Sequence, residues 1–183
     1  TEALITGRDT FDLDSDGHID AVRITFGNNV DDSTITAGAS GFTIAGASNL
    51  AFASTTNGDS TDDNLIYITF DDGALASDAT PNVSYDDNTG NVESTAGATV
   101  LTSAAASAVD LAGPAILSAE TISSTQVRIT LSEAVSDATV TGNDFIFSGF
   151  ATGGANALGT GFNTDGTADD EIILITLASN INT

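Results

Sequence analysis

An all-β chain built as two tandem antiparallel β-sandwich domains is predicted by three observations. Short stretches alternate apolar and polar residues at period 2, the same stretches return about a hundred residues later, and clusters of Gly, Asn, Asp and Ser separate them without helical periodicity. A repeat of that length marks a duplicated domain, because solenoid and propeller units fall at roughly 20–50 residues. The 183 residues suffice for two small sandwiches and exclude a large enzyme with several cofactor domains.

The elements follow in order. Val22, Ile24 and Phe26 share one face of a half-buried strand and Arg23 and Thr25 the other. Ala21-Val22-Arg23-Ile24-Thr25-Phe26 returns as Gln126-Val127-Arg128-Ile129-Thr130-Leu131. At the same spacing Val30-Asp31-Asp32-Ser33-Thr34-Ile35-Thr36 returns as Val135-Ser136-Asp137-Ala138-Thr139-Val140-Thr141. Phe42-Thr43-Ile44-Ala45-Gly46 is answered by Phe145-Ile146-Phe147-Ser148-Gly149, and Leu65 to Phe70 by Ile172 to Leu177. Ile66, Ile68 and Phe70 thereby match Ile173, Ile175 and Leu177 as inward residues. Short strands joined by such turns point to immunoglobulin-like sandwiches. The Ala-rich stretch Ser103 to Val109 reads as a final strand. Asp110-Leu111-Ala112-Gly113-Pro114 breaks the pattern, so the domains are residues 1–113 and 114–183. The second copy is expected to lack its last strands, since nothing after Leu177 corresponds to the segment Pro81 to Leu101 of the first. Its apolar face then needs cover, either from further sequence past Thr183 or from a strand donated by a neighbouring subunit.

Charge narrows the function. There are 26 acidic residues against three Arg (Arg8, Arg23, Arg128) and no Lys, a formal net charge of -23, so nucleic acid and an anionic membrane surface would be repelled. Hydrophobic residues make up 40%, too many for an acidic disordered tail. Asp supplies 21 of the acids and Glu only 5, a choice that favours turns and cation sites over helices. The chain has no Cys, which excludes disulfides, thiol catalysis and Cys-based metal centres. No apolar stretch approaches the roughly 18 residues of a membrane span, and the start at Thr1 without Met reads as a processed or excised extracellular segment.

The sharpest local motif is Asp12-Leu13-Asp14-Ser15-Asp16-Gly17-His18-Ile19-Asp20, a D-x-D-x-D-G-x-x-D run. Asp12, Asp14, Asp16 and Asp20 can converge because Gly17 permits a sharp turn, and His18 would add its backbone carbonyl. Oxygen-only ligands select Ca²⁺. An EF-hand is not the right frame, because the place of its bidentate Glu is held by Arg23 inside a strand. Corresponding acidic clusters precede the matching strands of both copies: Asp59, Asp62 and Asp63 in one, Asp165, Asp169 and Asp170 in the other. Both are read as calcium sites or as hairpin turns. Tyr85 to Asn91 reads as a plain turn, and Asp110 could hold an ion at the domain junction. Catalysis finds no support, since the single His lies in the calcium loop and no Lys is available. Arg23 and Arg128, alike in place, are expected to pair with nearby Asp.

The nine-residue loop resembles the calcium-binding β-hairpin loop of integrin-type propeller repeats. Asp16-Gly17-His18-Ile19-Asp20 through Phe26, then Val30-Asp31 and Phe42 to Gly46, is similar to the D-G-x-I-D…T-F…V-D…F-x-V-x-G pattern of immunoglobulin-like repeats in prokaryotic surface-layer and large cell-surface proteins. The second copy is similar from Pro114 to Gly149 but has Thr121 to Thr125 in place of the acidic loop. The resemblance implies a non-enzymatic, extracellular cell-surface role: a calcium-binding building block that assembles with copies of itself into a lattice or filament. The other reading is a calcium-rigidified stalk or ligand-binding module of an adhesin.

Overall fold

The computed structural model describes residues 3–147, 157–163, 165–177 and 180–181. The predicted positions Ser148, Gly149, Thr164 and Thr183 lie outside them. The chain is mostly β-strand with antiparallel pairing, and it divides into two units, residues 1–14 with 18–113 and residues 15–17 with 114–183. No helix among the described residues is long and apolar enough to cross a membrane.

In the first unit, β1 (Ile5–Phe11), β2 (Ala21–Phe26), β5 (Leu65–Thr69) and β4 (Ala51–Phe52) form one sheet in the order β1-β2-β5-β4. β3 (Phe42–Ile44), β6 (Asn82–Tyr85) and β7 (Ser103–Ser107) form a second, in the order β3-β6-β7. The Ala-rich stretch is therefore a strand. Alternation drives the burial: Val22, Ile24, Ile66 and Ile68 are all fully buried, and register pairs Val22 with Ile68 and Ile24 with Ile66. They share one core with Phe42, Ile44, Val83 and Tyr85 of the other sheet.

Polar groups tie the two sheets where the core ends. The Tyr85 ring is buried between Gly41 and Gly90, where any added Cβ would come within 2.7 Å of it, and its hydroxyl accepts the buried Val92 N–H at 2.9 Å. Arg8 on β1 donates to the Val83 carbonyl at 3.2 Å and to Ser103 Oγ at 2.5 Å. The segment after Leu101 runs parallel beside β1, with Thr10 N–H donating to the Val109 carbonyl and Val109 N–H to the Arg8 carbonyl. On the outer face, Arg23 pairs with Asp9 at 2.7 Å and lies 5.1 Å over the Phe11 ring, which meets Tyr67 edge-on at 5.4 Å.

The second unit is one five-stranded sheet among the described residues. β8 (Ile116–Ser123), β9 (Gln126–Leu131), β10 (Ile146–Phe147), β11 (Ala157–Asn163) and β12 (Ile172–Leu177) take the order β10-β11-β12-β9-β8. Its central register repeats that of the first unit, Val127 facing Ile175 and Ile129 facing Ile173. One element departs from the repeat. β3 pairs with β6 in the opposite sheet, whereas its counterpart β10 pairs with β11 and joins the same sheet as β12. With no counterpart of β6 among the described residues, the β10 backbone meets its hydrogen-bonding requirement on β11. The core is correspondingly thin: Val127, Ile129, Leu131, Ile173, Ile175 and Leu177, covered by partly buried Val135, Val140, Phe145, Phe147 and Ile181. An apolar groove of about 320 Å³ opens between Pro114, Ile116, Val140, Phe145 and Ile173.

Candidate metal centre

The nine residues Asp12–Asp20 are the connection between β1 and β2, whose last register pair is Phe11 with Ala21. Two left-handed residues fold the loop back, Ser15 at φ 63° and Gly17 at φ 97°, and glycine carries the second at no steric cost. Its far end is pinned: the Ile19 side chain is fully buried and its N–H donates to the Leu75 carbonyl at 3.0 Å. Asp20 Oδ1 accepts the Leu13 N–H at 2.9 Å, closing the loop across its base.

This arrangement brings one carboxylate oxygen each of Asp12, Asp14 and Asp16 within 4.8 Å of one another. Calcium takes oxygens at about 2.3–2.6 Å, so ligands on opposite sides of an ion stand up to about 5 Å apart and the three can share one ion. A second group overlaps the first, with Asp16, a ring nitrogen of His18 and Asp72 inside the same 4.8 Å spacing. Asp72 was not among the sequence candidates. It lies in the Asp71-Asp72-Gly73 turn after β5, which the β5–β2 pairing, the His18–Ala76 bridge and the Ile19–Leu75 hydrogen bond bring to the loop. The imidazole of His18, a residue read as a carbonyl donor, offers a nitrogen to that group. Asp20 is in neither group, and its Oδ1 accepts the Leu13 N–H. Burial pushes its carboxyl above the usual range, and the charges of Asp14 and Asp12 push the same way.

The paired clusters are built alike. Asp62 (φ 62°) accepts the Asp32 N–H at 3.0 Å and Asp169 (φ 55°) the Asp137 N–H at 2.9 Å. Asp63 and Asp170 each accept the N–H two residues on, Leu65 at 2.7 Å and Ile172 at 2.9 Å. Asp59 accepts the Ser60 N–H at 3.0 Å and feels the charge of Arg23, while Asp165 binds the Arg128 guanidinium at 3.1 Å. Asp32 and Asp137 were missed as site residues, although the repeat sets them at equivalent positions. Asp86 accepts both nitrogens of Asn88, at 3.0 and 2.8 Å, and forms a turn. Asp110 accepts Thr10 Oγ1 at 3.2 Å and the Ala112 N–H at 3.1 Å.

Asp32 is the most perturbed acid. Burial, then the neighbouring charges of Asp62, Asp59 and Asp63, push its carboxyl up to about 6. A carboxyl that holds its proton more tightly when folded stabilises the fold fully below its unfolded value near 3.8, and the contribution is lost as pH rises through about 6. Asp20 and Asp59, also raised by burial, act in the same direction. In chelator, the first unit should therefore lose about 2–3 kcal/mol between pH 4 and pH 7. Urea midpoints across that range check it, and midpoints that rise monotonically with pH would contradict the assignment.

Compared with known proteins, the chain matches no family model, no curated sequence and no solved structure.

Proposed function

We propose that this chain is a structural, calcium-binding component of an extracellular protein array, a surface-layer lattice or filament assembled from copies of itself. The observation that carries the reading is the convergence of Asp12, Asp14 and Asp16 on one hairpin loop, three carboxylates close enough to enter the oxygen shell of one hard cation. The first unit's strand orders, β1-β2-β5-β4 and β3-β6-β7, are those of a seven-stranded immunoglobulin-like sandwich, and this supports the tandem-repeat reading. A net charge of -23 supplies the reason for calcium dependence, since copies repel until divalent ions neutralise their loops. On this reading the chain is neither an enzyme nor a nucleic-acid binder.

Calcium at millimolar concentration should drive assembly that NaCl of equal ionic strength does not, because screening acts on all charges while coordination needs oxygens in place. Light scattering in the two salts decides between them. Equal assembly in NaCl would reduce the mechanism to screening. A calcium-loaded chain that stays monomeric would favour the stalk or ligand-binding module of an adhesin.

A further inference from the structure

Asp32 opens the short 3-10 turn Asp32–Thr34 that follows β2, and its side chain has gone inward. The residue is 5% exposed, and both of its carboxylate oxygens are buried without a hydrogen bond of good geometry, the backbone N–H of Asp62 being the donor that acts on them. A carboxylate taken out of water in this way is unstable unless something neutralises it. The surroundings supply more negative charge. Asp62, Asp59 and Asp63 all act on it, and the one guanidinium that acts on Asp59, Arg23, is committed to Asp9 at 2.7 Å. The backbone fixes the arrangement: Asp62 Oδ1 takes the Asp32 N–H, Asp63 Oδ1 the Leu65 N–H, and the Asp63 carbonyl the Val30 N–H at 2.7 Å. Asp32 and Asp62 line a groove of about 490 Å³ open to solvent, with the hydroxyl residues Ser33, Ser54 and Thr61.

We propose that Asp32 and Asp62, with the charges of Asp63 and Asp59 nearby, hold a divalent cation of the calcium class in this groove, separate from the Asp12–Asp20 loop. The choice of ion rests on the reading of the chain as calcium-binding; the site itself rests on the buried carboxylate whose oxygens make no hydrogen bond of good geometry. The donors are all hard oxygens, which suits calcium over a softer ion. The arrangement recurs in the second unit. Asp137 Oδ2 is buried without a partner, Asp169 accepts the Asp137 N–H, Asp170 Oδ1 accepts the Ile172 N–H, and the Asp170 carbonyl accepts the Val135 N–H at 3.0 Å. Asp165, which stands where the first unit has Asp59, is committed to Arg128, so that copy is the weaker site.

The test begins from an Asp14→Asn/Asp16→Asn chain, in which the hairpin loop is disabled. Calorimetric titration with CaCl₂ at pH 7.5 should still detect binding, and adding Asp32→Asn should weaken the tighter remaining site at least tenfold. No residual binding in the loop variant, or residual binding untouched by Asp32→Asn, overturns the proposal while leaving the loop reading intact. Conversely, wild-type binding that ignores the loop substitutions but falls with Asp32→Asn removes the loop and keeps this site. Should Asp32→Asn fail to fold, amide shifts in the loop variant decide: calcium-induced shifts at Asp32, Asp62 and Asp63 support the site, and shifts confined elsewhere overturn it.

Discussion

Ile68→Ala is expected to cost the first unit about 4 kcal/mol, and Ile175→Ala only about 2 kcal/mol, although the two isoleucines are repeat equivalents and both are fully buried. The transfer term is the same for both; the difference lies in the cavity. Ile68 shares a core walled by a second hydrogen-bonded sheet, with Val83 and Tyr85 of β6 and Phe42 and Ile44 of β3 held by strand pairing and by the Tyr85–Val92 bond. Such walls cannot move inward without breaking ladder bonds, so the void persists. Ile175 belongs to a core covered by Val135, Val140, Phe145, Phe147 and Ile181, all only partly buried. Those side chains can settle into the space. Amide exchange at β5 and β12 in each variant reads the two units separately, and equal losses would show that the second core is as rigidly walled as the first.

The same comparison shows what the sequence made legible. Period-2 alternation at Val22, Ile24 and Phe26 and again at Val127, Ile129 and Leu131 placed the central strands and their inward faces, because a half-buried strand leaves no other pattern. The turn at Gly17 and the closeness of Asp12, Asp14 and Asp16 were also legible, since both arise within nine consecutive residues. Contacts made by distant segments were not. Asp72 reaches the loop through the β2–β5 pairing, and a D-D-G turn far along the chain gives no hint of that address. β10 changes sheets for want of a partner, whereas alternation specifies faces but not neighbours. Asp32 is the plainest case. An acid in an Asp-Asp-Ser turn reads as solvated, and its burial follows from the packing of the adjacent Val30, 0% exposed, and Ile35, 7% exposed.

Asp14→Asn combined with Asp16→Asn should remove most of the calcium-dependent rise in melting temperature. An ion bound only by the folded chain stabilises it by about 2.7 kcal/mol when free calcium is a hundred times the dissociation constant. For a unit of this size that is a shift of about 10 °C or more. The double substitution leaves Asp12 as the sole carboxylate of the converging three, too few charged oxygens to displace the hydration of a divalent ion at low concentration. In chelator the sign reverses. The wild-type loop then holds three carboxylates close together, and removing two of those charges relieves their mutual repulsion, so the variant should melt no lower than wild type and by a small margin higher. Asp20→Asn is the internal contrast: its remaining carbonyl oxygen can still accept the Leu13 N–H, so the loop keeps its closure and most of the calcium response. Scanning calorimetry of the three chains with and without calcium checks all of this. A double variant that keeps the full wild-type rise would remove the hairpin loop as the principal site and leave the groove at Asp32 to account for the binding.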